Sequence, residues 1–319
     1  MNTWTKDILS ATFMGLILPG ILLNFGELLL ENKAATQLPE ISQTHPAAAS
    51  IQMQMRTGED AVLLRDMEDY LVEVLLAEVP ASFEEEALKA QAVAARTYTR
   101  KAWETGGKHG DGSVCTNPGC CQAWISREAY LAGGGTREGI RRMERAVQET
   151  SGEVLQYQGE LIEATYFSCS GGSTEEASAV WGSDIPYLQA VLSPGEEETV
   201  HYTDTVVFTP QQFRQQLDAR LEGPPDSWFG EITYTDGGGV ETIIIGDEVW
   251  SGTQLRRLLG LNSTKFKIAV DENIVITTLG YGHRVGMSQY GADAMAVAGY
   301  DYLRILDHYY PGTNLVTLN

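Results

Sequence analysis

Basic residues are scarce in this chain. Lys and Arg number 22 against 43 Asp and Glu, a formal charge of −21. The deficit argues strongly against nucleic acid as a partner, because such affinity rests on cations at phosphates. It equally disfavours adhesion of the soluble part to anionic lipid. An uncharged polymer or a small molecule remains acceptable. Cysteine is sparse, with four in 319 residues, and only one long apolar run occurs. There is no internal repeat and no long low-complexity tract. The length suits one large or two ordinary domains, and an apolar fraction of 43% is normal for a globular protein.

The one apolar run, Ile8 to Phe25, carries no charge. Its eighteen residues meet the lower limit for a membrane span. Lys6 precedes the run and Glu27 and Glu31 follow it, so the N-terminus is expected inside and the body outside. A cleaved signal peptide competes with this reading. No small-x-small site follows directly, and an uncleaved single-pass anchor over residues 1–33 is the expectation. Residues 34–55, rich in Ala, Pro, Gln and Thr, read as a flexible tether.

The remainder reads as α+β. A mixed helical and β-hairpin domain is expected over 56–194 and 263–319, with a smaller lobe inserted over 195–262. In the domain, helices are expected near Leu71–Glu78, from Ser82 onward, and over Arg137–Thr150, the last ended by Gly152. Glu153–Tyr157 and Glu160–Phe167 alternate like a hairpin about Gln158-Gly159. In the lobe we expect helices near Pro210–Leu221 and Gly252–Leu259 and a hairpin across Ile232–Ile245. Strands at Lys265–Val270 and Ile274–Leu279 would follow it.

One carboxylate is oddly placed. Glu78 extends the apolar side marked by Leu71, Val74 and Leu75 at helical spacing. Pro80 then pushes Val79 toward an extended conformation, so the helix should end near Glu78. Partial desolvation and the negative end of the helix dipole both favour a raised pKa, which suits a general acid. A frayed helix end that releases Glu78 into water is the plainer alternative. Ser82 and Glu85 have the spacing of a capping box. Behind them Ala87, Ala90, Gln91, Ala94, Ala95 and Tyr98 form a small-residue stripe that implies close packing. Arg96 lies off the stripe, free for solvent or a ligand.

Three cysteines crowd into His109-x5-Cys115-x4-Cys120-Cys121. Spacing alone leaves zinc and disulfide chemistry level. Further along, Ser168-Cys169-Ser170-Gly171-Gly172-Ser173-Thr174 would let backbone N–H groups approach a ligand, or form a plain turn. Gly280 to Ala292 holds His283, Gln289 and Tyr290, an aromatic beside amides that suits sugar rings. His308 reads as a satisfied core histidine.

Taken together these segments resemble the stage II sporulation protein D family of bacterial cell-wall enzymes, related to amidase enhancers. The likeness is carried in order by Leu71–Tyr98, Cys115–Gln122, Phe167–Thr174, Trp181–Pro194 and Gly282–Ala292 with His308–Thr313. It implies a membrane-anchored, extracytoplasmic lytic transglycosylase that cuts peptidoglycan glycan strands, preferring those stripped of stem peptides. On that resemblance Glu78 is the catalytic acid. Arg96, Tyr166, Ser170, Gly171, Gly172, Thr174, His283, Gln289 and Tyr290 are expected to hold glycan. A structural zinc is expected on His109, Cys115 and Cys121, with Cys120 standing where the family usually has His. A cell-wall amidase and membrane proteins of an engulfment complex are implied as partners. A non-catalytic wall binder that stimulates an amidase and a zinc hydrolase are the competing readings.

Overall fold

The computed structural model describes residues 51–57 and 61–318. The expected anchor over 1–33 and most of the tether lie outside the described residues. Among those described, no helix is long and apolar enough to cross a membrane. Residues 52–55, inside the expected tether, belong to a strand, Gln52–Arg56, with Met53 and Met55 fully buried. It pairs antiparallel with Val62–Asp66 and parallel with Val114–Cys115.

The main core forms around helix α1, Met67–Glu78, and helix α2, Glu85–Thr105. The Asp66 side chain caps α1 by accepting from the Glu68 and Asp69 N–H groups. Val79, extended at φ −132°, stops α1 at Glu78, as a residue before proline should. The capping box expected at Ser82 is absent. Helix α2 starts at Glu85 without a local side-chain cap, and the Glu84 N–H donates instead to Asp293 at 2.7 Å. The alanine stripe is buried throughout. It lets α2, about 31 Å long at 1.5 Å per residue, touch most of its neighbours closely. These are α1, helix α4 (Arg137–Glu149, after the short α3, Arg127–Ala132) and the strand Glu153–Tyr157.

That strand turns back through Gln158 and Gly159, both at positive φ, and pairs with Glu160–Leu161 and Asn314–Thr317. The second arm of the hairpin stops there rather than running to Phe167. Tyr166–Phe167 pairs parallel with Met287–Ser288, which brings the glycine-serine loop beside the 280–292 segment. Helix α5, Ala177–Trp181, follows this loop.

A second apolar cluster lies around helices α6, Pro210–Leu217, and α7, Gly252–Leu259. Phe213, Trp228, Ile243 and Leu255 are buried in it together with Phe266, Ile274 and Ile276, which lie beyond residue 262. Two three-stranded sheets frame the cluster. One orders Phe266–Val270, Ile274–Leu279 and Thr203–Phe208, the other Phe229–Tyr234, Val240–Ile245 and Glu248–Ser251. The chain then returns to the first core through helices α8, Gln289–Val297, and α9, Tyr302–Tyr309, which pack on α2.

A buried ion pair joins the two clusters. Arg284, at φ 66°, donates to Glu175 (3.1 Å), to the carbonyls of Ser170 (2.9 Å) and Ser173 (2.8 Å), and to Gly237 O (2.6 Å) in the lobe. Glu175 also accepts from Thr235 and from the Gly239 N–H. A left-handed arginine is a strained conformation, held here because every arm of the guanidinium is satisfied.

Candidate active site

Glu78 ends α1 on the wall of a cleft with about 550 Å³ of empty space. Ala77, Val79, Pro80, Phe83, Ser168, His201, Gln289 and Tyr290 complete the lining. One carboxyl oxygen accepts from the Ala123 N–H at 2.6 Å and the other from the Gln289 amide at 3.3 Å. The Tyr166 hydroxyl lies within hydrogen-bonding reach of the same carboxyl. Tyr166 in turn donates to Gln122 (2.8 Å), whose amide donates to Thr99 and Tyr70. Burial pushes the Glu78 carboxyl above the ordinary carboxylate range, although the Ala123 N–H, the Gln289 amide and the neighbouring Tyr166 hydroxyl pull the other way. Aromatic rings continue the cleft. Phe83 meets Tyr290 edge-on at 5.0 Å, Tyr290 meets His201 at 5.6 Å, and His201 meets Tyr281 at 5.2 Å.

The loop that supplies the Ala123 N–H also gathers four soft donors. His109 comes from a short 3-10 turn and Cys115 from the end of a strand. Cys120 and Cys121 follow a turn in which both their N–H groups reach Asn117 O. The ligand atoms of His109, Cys115, Cys120 and Cys121 all lie within 4.8 Å of one another. The Cys120 and Cys121 sulfurs are 3.9 Å apart, and His109 Nε2 is 3.5 Å from the Cys121 sulfur. All four cysteines are free thiols. A tetrahedron with metal–sulfur bonds of about 2.3 Å has edges of about 3.8 Å, so the donor set fits a zinc-sized centre.

Of the residues expected at the site, Tyr166, Gln289 and Tyr290 gather around Glu78. Others are placed elsewhere. Arg96, off the alanine stripe, is 2% exposed. It forms a two-pronged pair with Glu68 (2.8 and 2.7 Å) and donates to the carbonyls of Val147 and Glu153. A guanidinium meets its bonding needs most fully there, so Arg96 clamps α2 rather than a ligand. Ser170 is buried and donates to Glu196 at 2.7 Å, as does the Gly171 N–H at 3.1 Å. Gly171 is at φ 67°, and a side chain there would strike the backbone of Leu279 and Gly280, so its close approach is to the protein itself. The Gly172 N–H donates to Ser170 Oγ, and buried Thr174 donates to Gln189 O. His283 packs between Phe167 and Trp181 and accepts from the Val285 N–H. Burial, with Arg256 adding to it, holds this imidazole down at about 4. His308 meets Leu192 O.

Several participants escaped the sequence reading. Glu196, the first of three consecutive glutamates, is fully buried. It accepts from Ser170, Gly171, Cys169, Ser193 and Ser288, tying the glycine-serine loop to the start of α8 and so to Gln289. His201 and Phe83 carried no signal. Gln122 did, being the neighbour of Cys121, but its role as a relay needs the fold.

A family model described as Stage II sporulation protein matches residues 56–157. Stage II sporulation protein D of Bacillus subtilis is 36% identical over 292 residues, covering 90% of this chain and 84% of that protein. The protein of the same name from Bacillus amyloliquefaciens is 36% identical over 82% of this chain and 77% of its own length. The Bacillus subtilis protein named Amidase enhancer is 32% identical over 75% of this chain but only 39% of its own length. The chain belongs to the stage II sporulation protein D family.

Proposed function

We propose that this chain is a lytic transglycosylase that cuts the glycan strands of peptidoglycan during sporulation. The observation that carries the reading is a single half-buried carboxyl, held above its ordinary pKa, in a cleft lined by aromatic and amide groups. Among the described residues lining the cleft there is no second carboxylate. A glycosidase of either stereochemistry ordinarily uses two. One is sufficient where the substrate supplies its own nucleophile, here the 6-hydroxyl of muramic acid.

In this scheme protonated Glu78 gives its proton to the glycosidic oxygen as the bond from that oxygen to the muramic anomeric carbon breaks. The 6-hydroxyl oxygen then bonds to the same carbon, and its proton passes to the Glu78 carboxylate. A 1,6-anhydro ring closes, and the acid is restored without water. The Ala123 N–H and the Gln289 amide stabilise the carboxylate produced midway, while burial favours the protonated form that donates. Tyr290, Phe83 and His201 offer faces to the sugar rings.

His109, Cys115, Cys120 and Cys121 would hold a zinc ion whose part is structural, fixing the loop that ends at Ala123. The expected setting is extracytoplasmic, with residues 1–33 as a single-pass anchor and an amidase and engulfment proteins as partners. A second reading, a non-catalytic stimulator of a wall amidase, is favoured by the relative named Amidase enhancer.

Digestion of denuded glycan strands, with products weighed by mass spectrometry, separates the readings. We expect 1,6-anhydro-muramic ends, falling by about 10²–10⁴-fold with Glu78→Gln, the span of a lost general acid. Reducing ends would make the protein a hydrolase. No cleavage, with stimulation of an added amidase, would make it the enhancer.

A further inference from the structure

A second cleft opens at the junction of the two apolar clusters, with about 820 Å³ of empty space. Val180, Trp181 and His283 line it from the larger cluster, and Thr253, Arg256 and Arg257 of α7 line it from the lobe. Two features set it apart. Trp181 is 44% exposed, an unusual state for an indole. Arg256 is half-buried and Arg257 exposed, yet neither forms an ion pair with a carboxylate among the described residues. Two guanidinium groups of one helix thus face a single cleft with no carboxylate to neutralise them.

The cleft is continuous in chemistry with the site of Glu78. Tyr290 of that site leads through His201 to Tyr281, which is 44% exposed and lies within electrostatic reach of Arg256. A run of rings, from half-buried Tyr290 and His201 to exposed Tyr281, therefore leads toward two unpaired guanidinium groups beside a tryptophan. Ring faces stack on the apolar faces of sugars, and a guanidinium fork matches a carboxylate.

We propose that Arg256, Arg257 and Trp181 form a distal glycan subsite that takes an acidic sugar, binding the free lactyl carboxylate of a muramic acid residue remote from the bond that is cut. The subsite rests on the reading of the chain as a glycan-strand enzyme and adds what it recognises. In an intact wall the lactyl carboxyl is tied up as an amide to the stem peptide and carries no charge. Removal of the peptide frees it. The two arginines would therefore register, at a distance from Glu78, whether a strand has been stripped.

The test uses the full-length chain carrying Glu78→Gln, so that binding is read without cleavage. Its ligands are a peptide-free N-acetylglucosamine–N-acetylmuramic acid oligomer and the same oligomer with every lactyl carboxyl converted to a methylamide. We expect the free acid to bind about tenfold more tightly than the amide, the scale of a hydrogen-bonded charge pair. The double variant Arg256→Ala, Arg257→Ala should bring the two ligands to equal affinity without a change in melting temperature. Arg256→Lys with Arg257→Lys should restore part of the difference, and Trp181→Ala should weaken both ligands alike. Equal binding of acid and amide by the parent overturns the proposal, as does a preference that survives loss of both arginines. Tighter arginine-dependent binding of poly(glycerol phosphate) overturns the assignment to a carboxylated sugar. Arginine-dependent preference for the acid, together with failure of the unmutated chain to cut the oligomer, leaves the subsite standing and removes only the transglycosylase reading.

Discussion

Burial and hydrogen bonding act on Glu78 in opposite directions, and burial prevails. The balance yields an acid whose protonation can be tuned from either side. Activity should fall as pH rises through the Glu78 pKa, since only the protonated form can donate. Gln289→Leu removes a donor that favours the carboxylate, so it should move that falling limb of kcat/KM to higher pH while lowering the rate. An unmoved limb would mean that the amide does not act on ionisation. Linkage gives a second consequence with a definite sign. The folded pKa is raised, so the Glu78 contribution to stability is fully present below the unfolded value and is lost as pH rises through the folded one. Glu78→Gln should therefore melt relatively higher at pH 7 than at pH 4, compared with the parent. The sequence pointed to Glu78 through its place on an apolar face before Val-Pro. It could not point to Ala123, because a main-chain donor has no side-chain signature.

At the scale of elements, what was legible followed local chemistry. Helix α7 spans the residues expected for it, because Ser251 and Gln254 cap it reciprocally and Gly260 ends it at φ 66°. Helix α2 begins later than its local signal because Asp293, distant in sequence, takes the Glu84 N–H. Arg96 looked free only because Glu68 sits on another helix. The same limit hid Glu196, whose partners Ser170 and Ser288 lie 26 and 92 residues away in sequence. The loop from Gly106 to Ala123 is the element on which most of the proposed chemistry leans, since Cys121 lies two residues before the donor to Glu78. Purified protein should carry about one zinc per chain. Its removal by a chelator should speed hydrogen exchange at the Ala123 amide, read by NMR, before the helices lose protection. Finding Cys115 and Cys121 joined as a disulfide in the folded protein would sink the metal assignment.

For the molecule as a whole, two apolar clusters are joined through the polar knot of Arg284 and Glu175. Removing one member of a buried pair leaves the other uncompensated, at a cost of about 3–5 kcal/mol. Arg284→Ala should therefore loosen the lobe from the larger cluster, and calorimetry should resolve an early transition that exposes Trp228. A single transition shifted as a unit would show that the clusters do not depend on this knot. The long reach between Glu78 and Gln289 has a consequence in time. The two are 211 residues apart, and at about 5–20 residues per second a ribosome takes on the order of 10–40 s to go from one to the other. A growing chain that has not yet reached residue 289 therefore holds Glu78 without the amide that bonds it.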